Sequence, residues 1–292
     1  MKPAPFSYVS ATSVEHAVAT LAAAGGEGKI IAGGQSLVPM MNFRLVRPRV
    51  LVDINRIPGL DRVAELGTRL RIGALVRHRM TAADPLVARH VPVLHEAMKH
   101  VAHLTVRNRG TFCGSVCHAD PAAEMPMLTL LLDGEVEIAG PAGLRRLPAR
   151  EFLVSSLTTA LQGDEMVTAI EIDKLAPGTG WGFAEFARRH GDYALASVAA
   201  TVTCRDGRAH DVRIAAMGIG QTPMRLSAAE AVLENSDFGE PAIASAVARL
   251  RQEVEPASDL SASADYRRHL VGNLAHEVLR DAWRRAGEGV PA

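Results

Sequence analysis

Hydrophobic residues recur along the chain at two spacings, and each spacing predicts a different type of element. Between Val14 and Leu21 apolar side chains return every three or four positions, which predicts an amphipathic helix over residues 13–24 with Ser13 as its N-cap. Over residues 165–172 apolar and polar side chains roughly alternate, which predicts a strand. The chain therefore combines both types of element.

The remaining apolar segments are assigned in the same way. Strands are predicted at 29–34, 49–57, 70–76, 135–140, 144–149, 182–189, 194–204 and 211–220, the first of them buried and running into a glycine turn. Further helices are predicted at 85–102, with Thr81 as the candidate cap, and at 123–133, 227–235, 240–252 and 265–286. Because strands and helices do not alternate regularly, this order favours an α+β fold over a doubly wound parallel sheet.

A break rich in glycine and proline at residues 175–180 predicts a domain boundary. We expect a first domain over 1–176 and a second over 177–292. The second should contain a sheet within 181–220 followed by helices within 227–286.

The overall composition argues against several classes of protein. The 32 Lys and Arg residues balance 32 Asp and Glu residues, so the chain lacks the positive field that nucleic-acid binding usually needs. The longest segment without a charged side chain, residues 30–43, is too short to span a membrane. Three cysteines argue against a disulfide framework and are too few for an iron–sulfur cluster with four thiolates on this chain. Since no signal-peptide core is visible, we expect a cytoplasmic protein.

Two glycine segments follow predicted strands or helices, AGGQS at 32–36 and TFCGS at 111–115. Neither matches the fingerprints G-x-G-x-x-G and G-x-x-x-x-G-K-[ST]. Glycine nevertheless lets backbone N–H groups approach a ligand closely, and a neighbouring Ser or Thr adds a hydroxyl donor for phosphate oxygen. The two segments are therefore either tight turns or two loops that together hold the phosphates of a dinucleotide.

Reactive side chains cluster in and after the second segment. They are Cys113, Cys117, His118, Asp120 and Glu124. Their Cys-x-x-x-Cys-His spacing matches no common structural zinc site, so no metal is predicted. Cys117 and His118 are adjacent in the chain and adjacent residues seldom face each other, so a nucleophile–base pair is not expected either. Glu124 starts a predicted helix, where a carboxylate is stabilised by the helix N-terminus.

Three longer segments, 32–60, 106–126 and 186–200, together resemble the FAD-binding medium subunits of molybdenum hydroxylases. These are proteins of the carbon monoxide dehydrogenase type and their relatives, including the flavin domain of xanthine dehydrogenase. The resemblance covers essentially the whole chain in order. It implies a p-cresol methylhydroxylase-type (vanillyl-alcohol-oxidase-like) FAD-binding fold with two α+β subdomains, about 1–55 and 56–176. It also implies a C-terminal medium-subunit domain with a three-stranded antiparallel sheet and a helix bundle.

The resemblance further implies which residues bind FAD. The pyrophosphate is expected between the two glycine loops, which supply Ala32, Gly33, Gly34, Gln35, Ser36 and Leu37 on one side and Thr111, Gly114 and Ser115 on the other. Asp120 and Glu124 match acidic positions at the flavin or ribityl end, and Tyr193 matches a residue that packs near the isoalloxazine ring. An apolar contact is expected from Val167 or Leu161, and Lys29 is expected near the adenine.

The second loop departs from the family pattern at one position. The family usually has an apolar residue followed by two glycines, whereas this chain has Phe112, Cys113 and Gly114. If the backbone at Cys113 required a positive φ, the cysteine would cost about 1 kcal/mol or more. One of two consequences is expected from this change: either flavin binding is weaker, or a thiol lies close to the pyrophosphate.

The function implied by the resemblance is electron transfer. Substrate would be hydroxylated at a molybdenum cofactor on a large subunit, and electrons would pass through [2Fe-2S] clusters on a small subunit to FAD on this chain and then to an external acceptor. The flavin does the redox chemistry, so no catalytic side chain is assigned. The family suggests a dimer of heterotrimers, and the exposed-looking segment 38–49 is a candidate contact surface, or else a core segment with a basic edge.

Two other functions remain open. A self-contained FAD-dependent oxidase of the vanillyl-alcohol-oxidase type would need its own acid–base residues, for which His190 and Asp192 are the nearby candidates, although His190 is equally expected at the surface. A non-enzymatic binding protein would have kept the fold and lost FAD through the change at Cys113.

Overall fold

Three principal β-sheets follow one another along the chain, and helices connect and cover them. The structure, a computed structural model, describes residues 1–288. The last four residues of the predicted second domain, 289–292, lie outside the described residues.

The first sheet consists of three parallel strands. They are β1 (Ser7–Ser10), β2 (Gly28–Ile31) and β3 (Val50–Asp53), in the order β1-β3-β2. Helix α1 (Val14–Ala23) connects β1 to β2, and the hydroxyl of Ser13 caps it by accepting a hydrogen bond from His16 N at 3.1 Å. The helix predicted over 13–24 is therefore confirmed. Helix α2 (Leu37–Asn42) follows β2.

The second sheet consists of five antiparallel strands. They are β4 (Val63–Leu66), β5 (Arg69–Gly73), β6 (Glu135–Gly140), β7 (Gly143–Pro148) and β10 (Met166–Asp173), in the order β4-β5-β10-β6-β7. Between β5 and β6 lie α3 (His78–Ala83), α4 (Pro85–His90), α5 (Pro92–Ala97), α6 (Leu104–Arg107), α7 (Phe112–His118) and α8 (Glu124–Leu131). Between β7 and β10 lie α9 (Ala149–Phe152) and the paired short strands β8 (Leu153–Ser155) and β9 (Thr158–Thr159).

The third sheet lies after the predicted boundary. Its antiparallel strands follow chain order and are β11 (Thr179–Ala187), β12 (Ala194–Arg205), β13 (Arg208–Met217) and β14 (Met224–Arg225). The prediction of three strands was therefore one short, because a two-residue strand pairs with the end of β13. Helices α10 (Ser227–Leu233), α11 (Glu240–Glu253) and α12 (Ala264–Glu288) complete this part.

Two hydrophobic clusters form the cores. One lies under the first two sheets and their helices, and the other lies between the third sheet and helices α10 to α12. Ion pairs cross between the second and third sheets, with Arg213 Nη1 3.3 Å from Asp173 Oδ2 and Arg225 Nη1 3.0 Å from Asp133 Oδ1. Within residues 1–288 no helix combines the length and the apolar character needed to cross a membrane.

The continuous helix predicted over 85–102 was wrong. Helix α4 ends before Val91, whose φ of −141° is not helical, and Pro92 then begins α5. Thr81 is not a cap, because it lies inside α3; Asp84 caps α4 instead, accepting from Leu86 N at 2.8 Å. Periodicity alone could not detect the break because the apolar spacing continues across Pro92.

The second glycine segment also differs from the prediction of a loop, since most of it forms the first turn of α7. The segment is rich in small and polar residues, which hid its helical character. The strand predicted at 29–34 is shorter than expected and is not fully buried, because Lys29 is exposed at the surface of β2.

Candidate functional site

The first glycine segment packs against the backbone immediately before the second. A Cβ atom added to Gly33 would lie 2.5 Å from the carbonyl oxygen of Arg109 and 2.8 Å from Gly110 Cα, so only glycine fits at this position. Gly34 has a φ of +71°, in the left-handed region that favours glycine. The first segment is therefore a tight turn whose backbone packs closely against the residues that lead into the second segment.

The second segment is held in place from its other side by the chain that follows β5. Residues Arg77 and Thr111 form an isolated β-bridge. His78 N donates to the Gly110 carbonyl at 2.9 Å, and Phe112 N donates to the Val76 carbonyl at 3.0 Å. These contacts fix the residues immediately before α7.

Thr111 caps α7, and its hydroxyl accepts a hydrogen bond from Gly114 N at 3.0 Å. A Cβ atom on Gly114 would lie 2.5 Å from that hydroxyl oxygen, so a side chain there would disturb the cap. In the part of the chain that the structure describes, the hydroxyls of Ser36 and Ser115 have no hydrogen-bond partner. Two hydroxyl donors beside the glycine loops are thus available to a ligand.

Cys113 does not occupy a strained position. It is the second residue of α7 with helical backbone, its side chain is 2% exposed, and its thiol lies 3.4 Å from the Ile72 carbonyl in the core. Burial raises the pKa of this thiol well above its ordinary value. Cys113 therefore needs no positive φ, and its thiol packs in the core.

Carboxylates and a tyrosine gather at the far end of α7. Burial raises the pKa of Glu124, the first residue of α8, to about 7. Burial, and then the charge of Glu124, raise the pKa of Glu185 on β11 to about 8. Tyr193 lies in the β11–β12 loop, and partial burial followed by the charges of Asp120 and Glu124 raises its pKa. We call Asp120, Glu124, Glu185 and Tyr193 the acidic corner. Within it, Asp120 Oδ1 accepts a hydrogen bond from Ala122 N at 2.9 Å.

The acidic corner lies where the glycine-loop region meets the third sheet. Gly218 N, just after β13, donates to the Pro121 carbonyl at 2.9 Å and ties that sheet to the turn between α7 and α8. One carboxylate oxygen of Glu185, Oε2, is buried without a hydrogen-bond partner among the described residues. An unpartnered buried carboxylate is stabilised in its protonated form, in agreement with the direction of its pKa.

Comparison with known proteins decides the family. The family described as FAD binding domain in molybdopterin dehydrogenase matches residues 4–174, and the one described as CO dehydrogenase flavoprotein C-terminal domain matches residues 181–282. The chain belongs to the first of these families, and its C-terminal part matches the second. The resemblance found in the sequence is thereby confirmed.

Individual family members match over nearly their full lengths. The chain is 41% identical to the 6-hydroxypseudooxynicotine dehydrogenase complex subunit alpha of Paenarthrobacter nicotinovorans, over 98% of this chain and 97% of that protein. It is 39% identical to the nicotine 6-hydroxylase medium subunit of the same organism, over 98% and 100%. Among solved structures, a chain of carbon monoxide dehydrogenase from Hydrogenophaga pseudoflava superposes with a TM-score of 0.95 at 36% identity, covering 98% of this chain and 99% of that one.

The other residues that the family implies for FAD binding differ from one another in burial and in contacts. In the first loop, Gln35 Nε2 donates to the Gly33 carbonyl at 3.1 Å, and Leu37 is half-buried at the start of α2. Lys29 is exposed on β2. Of the two apolar candidates, Val167 is 5% exposed within the core cluster, whereas Leu161 is half-buried and offers more surface to a ligand.

Sequence reasoning missed three residues near these loops. Asn55 and Arg77 hydrogen-bond to loop carbonyls, and Glu185 completes the acidic corner. Glu185 was detectable only as the one carboxylate inside the otherwise apolar segment GFAEFA; nothing local indicated its neighbour. His190 is exposed, as one of its two interpretations expected.

A separate cleft of about 940 Å³ lies at the junction of the second and third sheets. Its charged lining is largely paired, as in Arg69 with Glu135 at 3.2 Å and Arg225 with Glu230 at 2.6 Å, and it contains none of the residues expected to bind FAD. Among residues 1–288 no group of three or more His, Cys, Asp or Glu side chains is arranged to hold a metal ion.

Proposed function

We propose that this chain binds FAD between its two glycine loops and serves as the electron-transferring flavoprotein subunit of a molybdenum hydroxylase. The observation that carries the proposal is the backbone contact of Gly33 with Arg109 and Gly110, which joins the two loops into one cradle. Family membership supports it, since the match covers the segment that contains both loops.

The residues present fit the diphosphate of FAD. Gly33 lets the first loop pack against Arg109 and Gly110, and Gly34 adopts the positive φ of a tight turn. The hydroxyls of Ser36 and Ser115 are free to donate to phosphate oxygen. Thr111 and Gly114 shape the second loop through the cap of α7. Gln35 holds the first loop through the Gly33 carbonyl. We assign Ala32 and Leu37 to the same cradle as flanking positions.

The acidic corner fits the flavin end of the cofactor. When bound, the flavin supplies the redox chemistry by accepting and passing on electrons. Glu124 and Glu185 have raised pKa values near 7 and 8, so their carboxyls can hold a proton at neutral pH beside the ring. Asp120 is proposed to accept a hydrogen bond at the ribityl or ring end, and Tyr193 to pack near the ring. Lys29 is proposed near the adenine, and Val167 or Leu161 is proposed to make an apolar contact with the cofactor.

The proposal includes the division of the chain that the sequence suggested. We take 1–176 as the FAD-binding domain, with subdomains of about 1–55 and 56–176 of the p-cresol methylhydroxylase type. Residues 177–292 form the medium-subunit domain. The separate first and second sheets and the two family matches, 4–174 and 181–282, support this division.

We further propose two partner subunits, a large one with the molybdenum cofactor and a small one with [2Fe-2S] clusters, in a cytoplasmic dimer of heterotrimers. The similarity to proteins named medium subunit and complex subunit supports partners, and all three cysteines are free thiols, in agreement with a reducing compartment.

The segment 38–49 supports this assembly as a contact surface. Phe43 is 65% exposed and Leu45 is 76% exposed, beside the exposed Arg44 and Arg47. Reversing both arginines to Glu should weaken assembly while leaving FAD binding by this chain intact, as co-elution on a sizing column would show. Unchanged co-elution would exclude this surface.

The test of the proposed function is recovery of the affinity-tagged chain from its host under mild conditions, followed by analysis of the whole complex. The proposal expects FAD on this chain, molybdenum and iron on two further chains, and bleaching of the flavin absorption when substrate is added anaerobically. Recovery of an isolated flavoprotein that is reduced directly by a substrate would instead support a self-contained oxidase. Recovery without any flavin would favour a binding protein.

A further inference from the structure

A chain of hydrogen bonds behind the glycine loops connects one loop to the other. Asn55, which follows β3, donates from Nδ2 to the Ala32 carbonyl at 2.9 Å. Arg77, which precedes α3, donates from Nη2 to Asn55 Oδ1 and from Nη1 to the Arg109 carbonyl. Because Gly33 packs on Arg109 and Gly110, the chain closes into a ring.

We propose that Asn55 and Arg77 are positioning residues that fix the spacing and orientation of the two diphosphate loops and are thereby needed for tight FAD binding. This inference rests on the proposed function, since it concerns the same cradle. Neither residue belongs to the FAD site that the sequence predicted, and neither is assigned a contact with the cofactor.

The amide orientation of Asn55 is determined by its partners. The Ala32 carbonyl can only accept a hydrogen bond, and the Arg77 guanidinium can only donate one, so Nδ2 must face Ala32 and Oδ1 must face Arg77. Asn55 is also held by Asp53, whose Oδ1 accepts from the Asn55 backbone N at 2.8 Å. The amide therefore has one arrangement that satisfies all of these groups.

Holding the Ala32 carbonyl also orients the first loop. The peptide unit is planar and trans, so its N–H, which belongs to Gly33, points away from the carbonyl that Asn55 holds. In the described residues this N–H has no acceptor. Asn55 thus directs an unused backbone donor to the side of the loop opposite itself, where an anion could accept it.

Arg77 suits this place by shape as well as charge. Its planar fork reaches two diverging acceptors, which a lysine ammonium on a single stem satisfies less well. Within residues 1–288 Arg77 has no carboxylate at ion-pair distance, and its nearest charged neighbours include Arg79 and Arg109. Burial and then the charge of Arg109 lower the pKa of Arg77, and the charge of Asp53 raises it. The guanidinium of Arg77 therefore places positive charge behind the loops without a direct ion pair among residues 1–288, and this charge favours an anion in front of them.

The test uses the full-length chain and the variants Asn55→Ala, Arg77→Lys and the double variant. FAD dissociation constants are measured by fluorescence titration, apo-protein melting is measured in parallel, and the ³¹P signals of bound FAD report on the diphosphate directly. Arg79→Lys is the matched control, because Arg79 is an exposed neighbour that makes no hydrogen bond to either loop.

We expect each single variant to weaken FAD binding about 10- to 100-fold, as for loss of a hydrogen bond to a charged or buried group. The double variant should lose less than the product of the two, because both break the same ring. The ³¹P signals should shift, any fall in apo-protein melting temperature should be too small to account for the lost affinity, and the control should stay unchanged.

Wild-type-like FAD affinity in Asn55→Ala and Arg77→Lys would overturn the proposal and leave the proposed function standing. Weakened binding that only follows a lower melting temperature, without a ³¹P shift, would also overturn it. If the wild-type chain itself retains no FAD, both the proposed function and this inference fail.

Discussion

The glycine loops and the acidic corner are at the two ends of α7 and differ in almost every respect. The loop end is defined by backbone: Gly33 has no room for a side chain, and Arg77, which donates to the Arg109 carbonyl beside it, forms no ion pair within residues 1–288. The corner is defined by side chains: burial and then the charge of Asp120 push Glu124 towards the neutral form, and burial and then the charge of Glu124 do the same to Glu185. One end therefore suits a permanent anion, and the other suits a group that exchanges protons.

This contrast matches the two halves of FAD. The diphosphate keeps its negative charge at all relevant pH values and gains from N–H, hydroxyl and guanidinium donors. The flavin ring changes its protonation as it changes its redox state, and a carboxyl with a pKa near 7 can follow that change. This difference supports the proposed assignment of the diphosphate to the glycine loops and of the flavin to the acidic corner.

The largest effect should come from filling the contact between the loops. Gly33→Val would place atoms within 2.5 Å of the Arg109 carbonyl, so the loops must separate, and FAD affinity should fall by more than about 100-fold. Gly220→Ala is the control, because a Cβ there meets only the Thr222 carbonyl at 3.6 Å. Equilibrium dialysis with FAD checks this; unchanged affinity in Gly33→Val would show that the two loops need not touch.

Replacing Cys113 by the glycine that the family usually has at this position should not tighten FAD binding. Cys113→Gly removes a buried side chain and places glycine within α7, so we expect about 1–3 kcal/mol lower stability to urea and no gain in FAD affinity. Tighter FAD binding in this variant would mean that the cysteine does disturb the cradle, contrary to its position in the core.

The acidic corner should make the free energy of unfolding depend on pH. The folded-state pKa of Glu185, about 8, lies above the unfolded value of 4.5, so its neutral form stabilises the fold fully below about pH 4.5 and this contribution is lost as pH rises to about 8. Glu185→Gln should therefore be more stable than wild type by at least about 1 kcal/mol at pH 9 and gain nothing at pH 4.

Two further variants isolate this effect. Glu124→Gln should reduce the pH dependence that remains at Glu185, because the two carboxyls titrate as a pair. Glu255→Gln, at an exposed position, should leave the profile unchanged. If the free energy of unfolding of wild type and of Glu185→Gln changed in parallel between pH 4 and pH 9, the raised pKa of Glu185 would be disproved.

The smallest effect should come from the free hydroxyls. Ser36→Ala and Ser115→Ala each remove one donor without touching the chain's own hydrogen bonds, so FAD affinity should fall about fivefold, or about 1 kcal/mol, with unchanged melting of the apo-protein. Isothermal titration with FAD checks this. An effect on apo-protein melting would mean that the hydroxyls serve the fold.

Sequence patterns were sufficient for elements whose signals are local. Helix α1 with its Ser13 cap and the long strands β10 and β12 were predictable from spacing alone. The family resemblance supplied the proposal that the two glycine loops bind FAD. The break at Pro92 and the helical start of the second loop were not, because apolar spacing does not record a single non-helical residue.

The non-local parts of the site could not be predicted. Asn55, Arg77 and Glu185 acquire their roles only from partners 22 or more residues away, such as Ala32 and Arg109 for the first two. The conformation at Cys113 could not be predicted for a related reason. A glycine in a family pattern does not say whether it is required for φ or for space, and only the helical backbone of α7 decides it.

The most direct test of the central claim is an absorption spectrum of the full-length wild-type chain and of Gly33→Val, each incubated with FAD and then desalted. The account predicts flavin bands at about one per chain in the wild type and none in the variant. Wild-type protein without flavin, or equal flavin in both proteins, would contradict the claim that the two joined loops hold FAD.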